Sequence, residues 1–318
     1  MIFILSIVIP TFNRAKSLKS ALDSLLQQNY TNFEVLVVDN GPSTDKTKEI
    51  VENFVKKDTR VNYITTELKG CIFARNIGAK NAKGEILLTL DDDIEFLEHE
   101  TLKKLIATFN TDYQVGIVGS IELRKANQIV PKGPDPLPSE TGRISQNGKF
   151  NTAFNWIEGH GITEVDHVRS AFMAIRMDLF KLVGGFDEIY NAKGLGFRYE
   201  TDVCLKIKAQ GYKVVVNPEI KILHKVAERS RGFQRGKGIY YFYYANRNHI
   251  FFMRRFFWRN HSFTRLVKDI FRGTNRCPGI KQGLIKMRHD FSFIWIVYIL
   301  TSITGKLSGY LRYSKYGS

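Results

Sequence analysis

The chain has 318 residues, 43% of them hydrophobic and 25% charged, with a formal net charge of +16. That composition excludes a disordered chain and allows a large core, as one domain or a domain with an appendage. Three cysteines, Cys71, Cys204 and Cys277, are odd in number and far apart, which excludes a disulfide framework and a zinc site and fits a reducing cytoplasm.

Met1 to Pro10 is apolar but lacks a basic leading segment, so it reads as a first core strand, Ile2 to Pro10, and not as a signal peptide. Thr11-Phe12-Asn13-Arg14 forms a turn, and Leu18, Ala21, Leu22 and Leu25 then recur at helical spacing. A second apolar run, Phe33 to Val38, ends in Asp39-Asn40-Gly41-Pro42-Ser43. Ser43 or Thr44 is placed to cap the next helix, whose buried stripe is Ile50, Val51, Phe54 and Val55. A short strand over Val61 to Ile64 and a helix holding Ala74 to Gly78 lead to Ile86 to Leu90, a strand buried on both faces.

That last strand stops at Asp91, Asp92 and Asp93, which cannot stay unpaired in a core and must reach the edge of the sheet. Side chains alternate on an extended backbone, so Asp91 and Asp93 point one way and Asp92 the other. Two hard oxygen donors on one side suit Mg2+ or Mn2+; a solvated acidic loop is the other reading. The whole pattern, β-α-β-α-β-α-β with short connections, predicts an α/β fold with a doubly wound, mostly parallel sheet. In such a sheet the ends at Thr11 to Asn13, at Asp39 and at Asp91 to Asp93 share one rim, where ligands bind. No Gly-x-Gly-x-x-Gly follows the first strand and no Walker-type loop is present, which argues against a dinucleotide fold.

Six segments taken together resemble the inverting glycosyltransferases of family 2, which have the GT-A fold. They are Ser6 to Arg14, Val37 to Asp45, Ala74 to Gly78, Leu90 to Asp93, Gly184-Gly185-Phe186-Asp187-Glu188 and Tyr199-Glu200-Thr201-Asp202. The resemblance implies a nucleotide-sugar pocket built from Pro10, Thr11, Asn13 and Asp39, with Asp39 accepting from a pyrimidine ring N–H. The alternative for Asp39 is a turn residue that caps the next helix. Arg75 would reach the diphosphate, beside Asp91 and Asp92, or would instead form a surface ion pair. Asp91 and Asp93 would form the family's Asp-x-Asp metal element. His224, after the last strand, would complete the shell, unless it is a strand-end histidine bound to backbone.

The second half follows in the same way. Helix Glu100 to Phe109 and strand Val115 to Leu123 close a nucleotide-sugar half over 1–123, leaving an acceptor half over 124–224. Lys125 to Asn155 is long, rich in Gly, Pro, Asn and Ser, and is expected as a mobile flap. Trp156, Glu158, His160 and Asp166 stand next as acceptor contacts or loop polars. Strand Ser170 to Arg176 and helix Asp178 to Val183 precede Gly184 and Gly185, which the family places beside the acceptor; a plain helix stop is the alternative. The resemblance makes Glu200, with Asp202 as the competing choice, the catalytic base. Acids in a first helical turn are also favoured by the helix dipole alone. Strands Lys213 to Val216 and Ile220 to Leu223 close the catalytic domain at residue 224.

The charge is placed unevenly. Residues 1–224 hold 28 Lys/Arg against 28 Asp/Glu, whereas residues 225–318 hold 19 against 3. That tail alternates cations with rings, from Tyr240 to Arg259, and carries a mostly apolar run, Phe291 to Thr304, shorter than the roughly 20 residues a bilayer requires. It predicts a basic, aromatic helical appendage lying on an anionic membrane surface, or packing on the catalytic domain; no nucleic-acid partner is expected. The implied function is metal-dependent, inverting transfer from a nucleoside-diphosphate sugar, UDP- or dTDP-linked by preference, to a saccharide or lipid-linked saccharide acceptor. The setting is bacterial surface polysaccharide synthesis on the cytoplasmic face of the cell membrane. A nucleotidyltransferase and a noncatalytic membrane- or nucleic-acid-binding protein are the rival readings.

Overall fold

Apolar runs of five to nine residues, with few charges inside them, become the central strands of one mixed sheet. The structure, a computed structural model, describes residues 3–124, 141–145, 150, 160–192, 195–225, 238–258, 262–274 and 277–316. Trp156, Glu158 and most of Lys125 to Asn155 lie outside the described residues. In chain order come β1 (Leu5–Thr11), α1 (Ala15–Leu26), β2 (Phe33–Asn40), α2 (Thr47–Lys57), β3 (Val61–Thr66), α3 (Cys71–Asn81), β4 (Ile86–Leu90) and β5 (Ile94–Phe96). Then follow α4 (Thr101–Thr111), β6 (Val115–Leu123), β7 (Thr163–Val165), β8 (Phe172–Arg176), α5 (Met177–Leu182), β9 (Asn191–Ala192), β10 (Leu195–Gly196), α6 (Tyr199–Ala209) and β11 (Lys213–His224). Among the described residues four further helices follow: α7 (Ile239–Phe256), α8 (Ser262–Arg272), α9 (Ile280–Asp290) and α10 (Ile294–Tyr316).

The strand order is β3-β2-β1-β4-β8-β6-β11-β5, with β7 also on β11. β1, β2, β3 and β4 are mutually parallel, as are β6 and β11, while β8 runs antiparallel between β4 and β6. The core is built from the inward residues of these strands, Ile7, Ile9, Val35, Val37 and Leu88 among them, packed under Leu18, Leu22 and Leu25 of α1. Parallel register then decides where the polar ends fall. Thr11 pairs with Asp39, and β4 is aligned on β1 so that Val8 meets Thr89. Counting three residues onward brings Thr11 beside Asp92, and the Thr11 hydroxyl donates to Asp92 Oδ2 at 2.8 Å. The three strand ends therefore do lie on one rim.

Two local expectations are corrected. Ser43 and Thr44 do not cap α2, which begins at Thr47. Asp45 accepts from the Thr47 amide at 2.9 Å instead, because Ser43 is committed to Asp39. The two predicted strands at 213–216 and 220–223 are one strand, β11, whose register with β6 shifts between Val216 and Lys221. Pro218 lies in that interval and has no N–H to give the ladder.

The chain divides into two compact units, the first holding β1 to β9, α1 to α6 and β11, the second β10 and α7 to α10. In the second unit α10 lies tightly on α7. A Cβ on Gly305 would sit 2.3 Å from the Tyr243 carbonyl oxygen, and one on Gly309 would sit 2.2 Å from that of Arg247. Lys306, between them, is fully buried and ion-paired with Asp269 of α8. The helix that carries the apolar run continues past it, since α10 has 23 residues and includes Lys306, Arg312 and Lys315. Ile294–Lys315 is long and apolar enough to cross a bilayer by length and composition, with 33% of its most apolar window buried in the fold.

In the first unit α3 approaches β1 closely, and a Cβ on Gly78 would stand 2.3 Å from Val8 Cγ1. Gly78→Leu forces helix and sheet apart and is expected to cost about 1–3 kcal/mol, read as a lower midpoint in thermal unfolding. An unchanged midpoint would show that α3 does not rest on β1 this closely.

Candidate active site

Each of the three carboxylates at the end of β4 has its own partner. Asp91 is ion-paired with Arg75 of α3. Asp92 turns to the other side, accepting from Thr11, with the Arg14 guanidinium 3.6 Å away. Asp93 accepts from Arg14 Nη1 at 3.0 Å and lies 3.2 Å from His224 Nε2. Asp91 and Asp93 do face one region, and with His224 they offer three ligand atoms that all lie within 4.8 Å of one another. Two carboxylate oxygens and an imidazole nitrogen fit Mn2+ or Mg2+, with sites left over for phosphate oxygens and water.

Burial and neighbouring charge shape the electrostatics. Burial, aided by the adjacent Asp93 and Asp91, pushes the Asp92 carboxyl up to about 7 against the opposing pull of Arg14 and Thr11. Burial would lower His224, but its hydrogen bonds to Asp93 and Glu122 outweigh that and raise it to about 9. Without metal the imidazolium is thus the counter-ion of this cluster. A metal cation on Nε2 takes the place of a proton.

Arg75 departs from the expectation that it would reach out to the diphosphate. Its side chain is 2% exposed, sits over the Tyr199 ring at 5.8 Å and turns its guanidinium onto Asp91 and toward the Cys71 and Ser170 carbonyls. It fixes Asp91 from below, since a buried guanidinium needs a carboxylate and cannot also meet a solvated ligand. The Tyr199 hydroxyl is bonded to that of Ser170, so the first turn of α6 is tied to the acidic strand end.

Asp202 departs as well. It is fully buried, accepting from the Tyr190 hydroxyl at 2.9 Å and pairing with Lys206 at 2.8 Å. Held that way it anchors α6 and does not face an acceptor. Glu200, in the first turn of the same helix, is partly exposed.

The remaining predicted residues organise loops around the rim. Asp39 is buried, accepting from the Ser43 amide and hydroxyl at 2.9 and 2.8 Å and from the Tyr63 hydroxyl at 2.9 Å. Pro10 is a buried residue of β1. Asn13 adopts a left-handed conformation, φ 51°, and its side-chain oxygen accepts from the Thr44 amide at 2.7 Å, joining the loop after β1 to the loop after β2. Gly184 and Gly185 have φ of +80° and +72° and stop α5, their amides donating to Lys181 and Phe180 carbonyls. Asn76 grips the following residue in both directions, donating to the Phe186 carbonyl and accepting from its amide. A Cβ on Gly184 would meet nothing within 4 Å, so that side of the turn is open. Asp166 is held by Arg143, Lys208 and the Ile144 amide, a structural role, and His160 is exposed.

Arg14 and Glu122 carry no role in the sequence reading. Glu122 did leave a signal, as the single charge inside the apolar strand Val115 to Leu123, where a buried carboxylate demands partners. Arg14 sat within a quoted motif but read as part of a turn.

A family model described as glycosyl transferase family 2 matches residues 6–164. The chain belongs to that family. Among its relatives, the O-antigen biosynthesis protein RfbC of Myxococcus xanthus is 28% identical over 255 residues, covering 76% of this chain and 19% of that protein. The chain spans only 16% to 40% of the length of the first curated relatives it matches. Two solved structures share its architecture. The mannosyltransferase PcManGT from Pyrobaculum calidifontis, in complex with GDP-Man and Mn2+, aligns over 99% of this chain and 87% of its own at a TM-score of 0.55 and 16% identity. GalNAc-T7 with UDP, GalNAc and Mn2+ aligns over 95% and 58% at 0.63 and 20% identity. The fold of this family 2 chain is accordingly GT-A, with helices following the catalytic sheet.

The raised pKa of His224 has a measurable consequence. Its folded value lies above its ordinary 6.5, so its charge stabilises the fold fully below 6.5 and ceases to as pH rises through about 9. In metal-free protein, His224→Gln should therefore destabilise more at about pH 6 than at about pH 10 in urea unfolding. An equal loss at both would mean that the imidazolium contributes nothing here.

Proposed function

We propose that this protein moves a sugar from a nucleoside-diphosphate donor, UDP or dTDP by preference, to a saccharide or lipid-linked saccharide acceptor, inverting the anomeric centre. The observation that carries this reading is the convergence of Asp91, Asp93 and His224 at the rim that also holds Thr11 and Asp39. Those three residues would hold a divalent cation, which would supply positive charge for the leaving nucleoside diphosphate. Thr11, Asn13 and Asp39 shape the pocket for the base and ribose, with Asp39 as acceptor for a ring N–H once Ser43 yields. Arg75 holds Asp91 in place, and Arg14, at the same rim, is a cation that would be available to a phosphate.

Glu200 takes the proton from the acceptor hydroxyl as that oxygen attacks the anomeric carbon from the face opposite the leaving group. One carboxylate suffices for a single displacement. The open side of Gly184 offers the acceptor a close approach to backbone. The setting in surface polysaccharide synthesis rests on the name of the Myxococcus relative, and the metal on the Mn2+ complexes of the two neighbours.

The second unit is proposed to lie on the anionic inner surface of the cell membrane. Ile296, Leu300, Leu307 and Leu311 recur on the exposed face of α10, and Phe263, Val267 and Phe271 stand four apart on α8, all exposed. An apolar helix face of that length, on a segment with 19 cations and 3 acids, suits an interfacial helix among acidic headgroups. Lys306 is buried on the opposite side against Asp269, which favours lying over spanning.

Release of nucleoside diphosphate from a panel of nucleotide sugars should require Mn2+ or Mg2+ and vanish with chelator or Asp93→Asn. Glu200→Gln should lower kcat by about 10²–10⁴-fold with donor affinity retained. No turnover or binding of any donor, or pyrophosphate release from a nucleoside triphosphate in its place, would overturn the transfer reading. For the membrane, the full chain should pellet with vesicles rich in anionic lipid, and Leu300→Glu with Leu307→Glu should weaken this; equal pelleting by the double variant rejects the α10 surface.

A further inference from the structure

His224 is held from two sides. Its Nε2 faces Asp93 Oδ1 at 3.2 Å, and its Nδ1 faces Glu122 Oε2 at 3.2 Å. Glu122 is buried and its Oε2 also accepts from Arg169 Nη1 at 2.9 Å. Strand register makes this pairing possible: Glu122 of β6 is aligned with Ile222 of the parallel β11. Ile222 and His224 share a face of β11, so Glu122 stands one diagonal step from the imidazole. Glu122 Oε2, already accepting from Arg169, can only accept from Nδ1 as well, whereas Nε2 points to the side where Asp91 and Asp93 meet.

We infer that Glu122, held by Arg169, is a positioning residue that fixes the proton of His224 on Nδ1 and so presents Nε2 to the cation between Asp91 and Asp93. This rests on the reading that these three residues bind a divalent cation. It adds a residue from a different strand, one that touches neither donor nor acceptor. A neutral imidazole free in solution spreads its proton between two nitrogens, and a ring that can also rotate offers Nε2 only part of the time. The Glu122 carboxylate removes both freedoms, as acceptors behind metal-binding histidines do in general. The competing explanation is that Glu122 only neutralises Arg169 within the sheet.

Two readouts other than turnover separate these explanations. The first is Mn2+ affinity, followed by the electron paramagnetic resonance signal of free Mn2+, for the wild type, Glu122→Gln, His224→Ala and the double variant. Glu122→Gln should weaken Mn2+ binding about 10- to 100-fold. In the His224→Ala background the same substitution should change nothing further, because the effect runs through the imidazole. Unchanged affinity in Glu122→Gln, or additive losses in the double variant, would overturn the proposal. The second needs no variant: imidazole 15N shifts of the wild type saturated with diamagnetic Mg2+ should show a protonated Nδ1 and an unprotonated Nε2. A proton on Nε2 would overturn it even if Glu122→Gln fails to fold. A wild type that takes up no Mn2+ while keeping Nδ1 protonated would refute the cation reading and leave the tautomer assignment standing.

Discussion

Three adjacent carboxylates at the end of one buried strand form an arrangement that the rest of the catalytic unit has to stabilise. Placed side by side without counter-charge they would repel, and two of them are mostly buried. Each is met from a different element: Asp91 by Arg75 of α3, Asp92 by Thr11 at the end of β1, Asp93 by Arg14 and by His224 at the end of β11. The elements that supply these partners are those whose register and packing bring the three strand ends to one rim. Stability and function thus share one set of contacts, and removing a partner exposes an uncompensated buried charge.

A layered site follows from that constraint. Arg75 and Tyr199 lie beneath Asp91, Glu122 and Arg169 lie behind His224, and Tyr190 with Lys206 grips Asp202. Arg75, Tyr199, Glu122, Tyr190 and Asp202 are buried, whereas Glu200 keeps partial exposure at the start of α6. The contrast suits the proposed roles, a base that meets a changing acceptor beside residues that would hold a cation in fixed places.

The second unit obeys different rules. Small residues let α10 lie directly on the α7 backbone, and the one lysine on that face is neutralised by Asp269. Its other face is apolar and exposed, with Leu300 and Leu311 the most open. The basic composition of this segment and the exposed rings on α8 thus belong to one surface chemistry.

Much of this was legible in the residues alone. Apolar runs ending in polar triplets announced parallel strands and a common rim, because a buried strand can release a carboxylate only at its end. Alternation along the backbone assigned Asp91 and Asp93 to one side before any coordinates. Sequence did not decide which acids and cations face solvent. Arg75 and Asp202 sit at positions that read equally well as ligand contacts, and only the packing of α3 and α6 buries them. The partnership of Glu122 with His224 was likewise invisible, since it depends on the register of two strands far apart in the chain. Local sequence sets where an element starts, stops and turns its side chains, but the desolvation of a charge depends on everything packed against it, and that is fixed only when the whole fold closes.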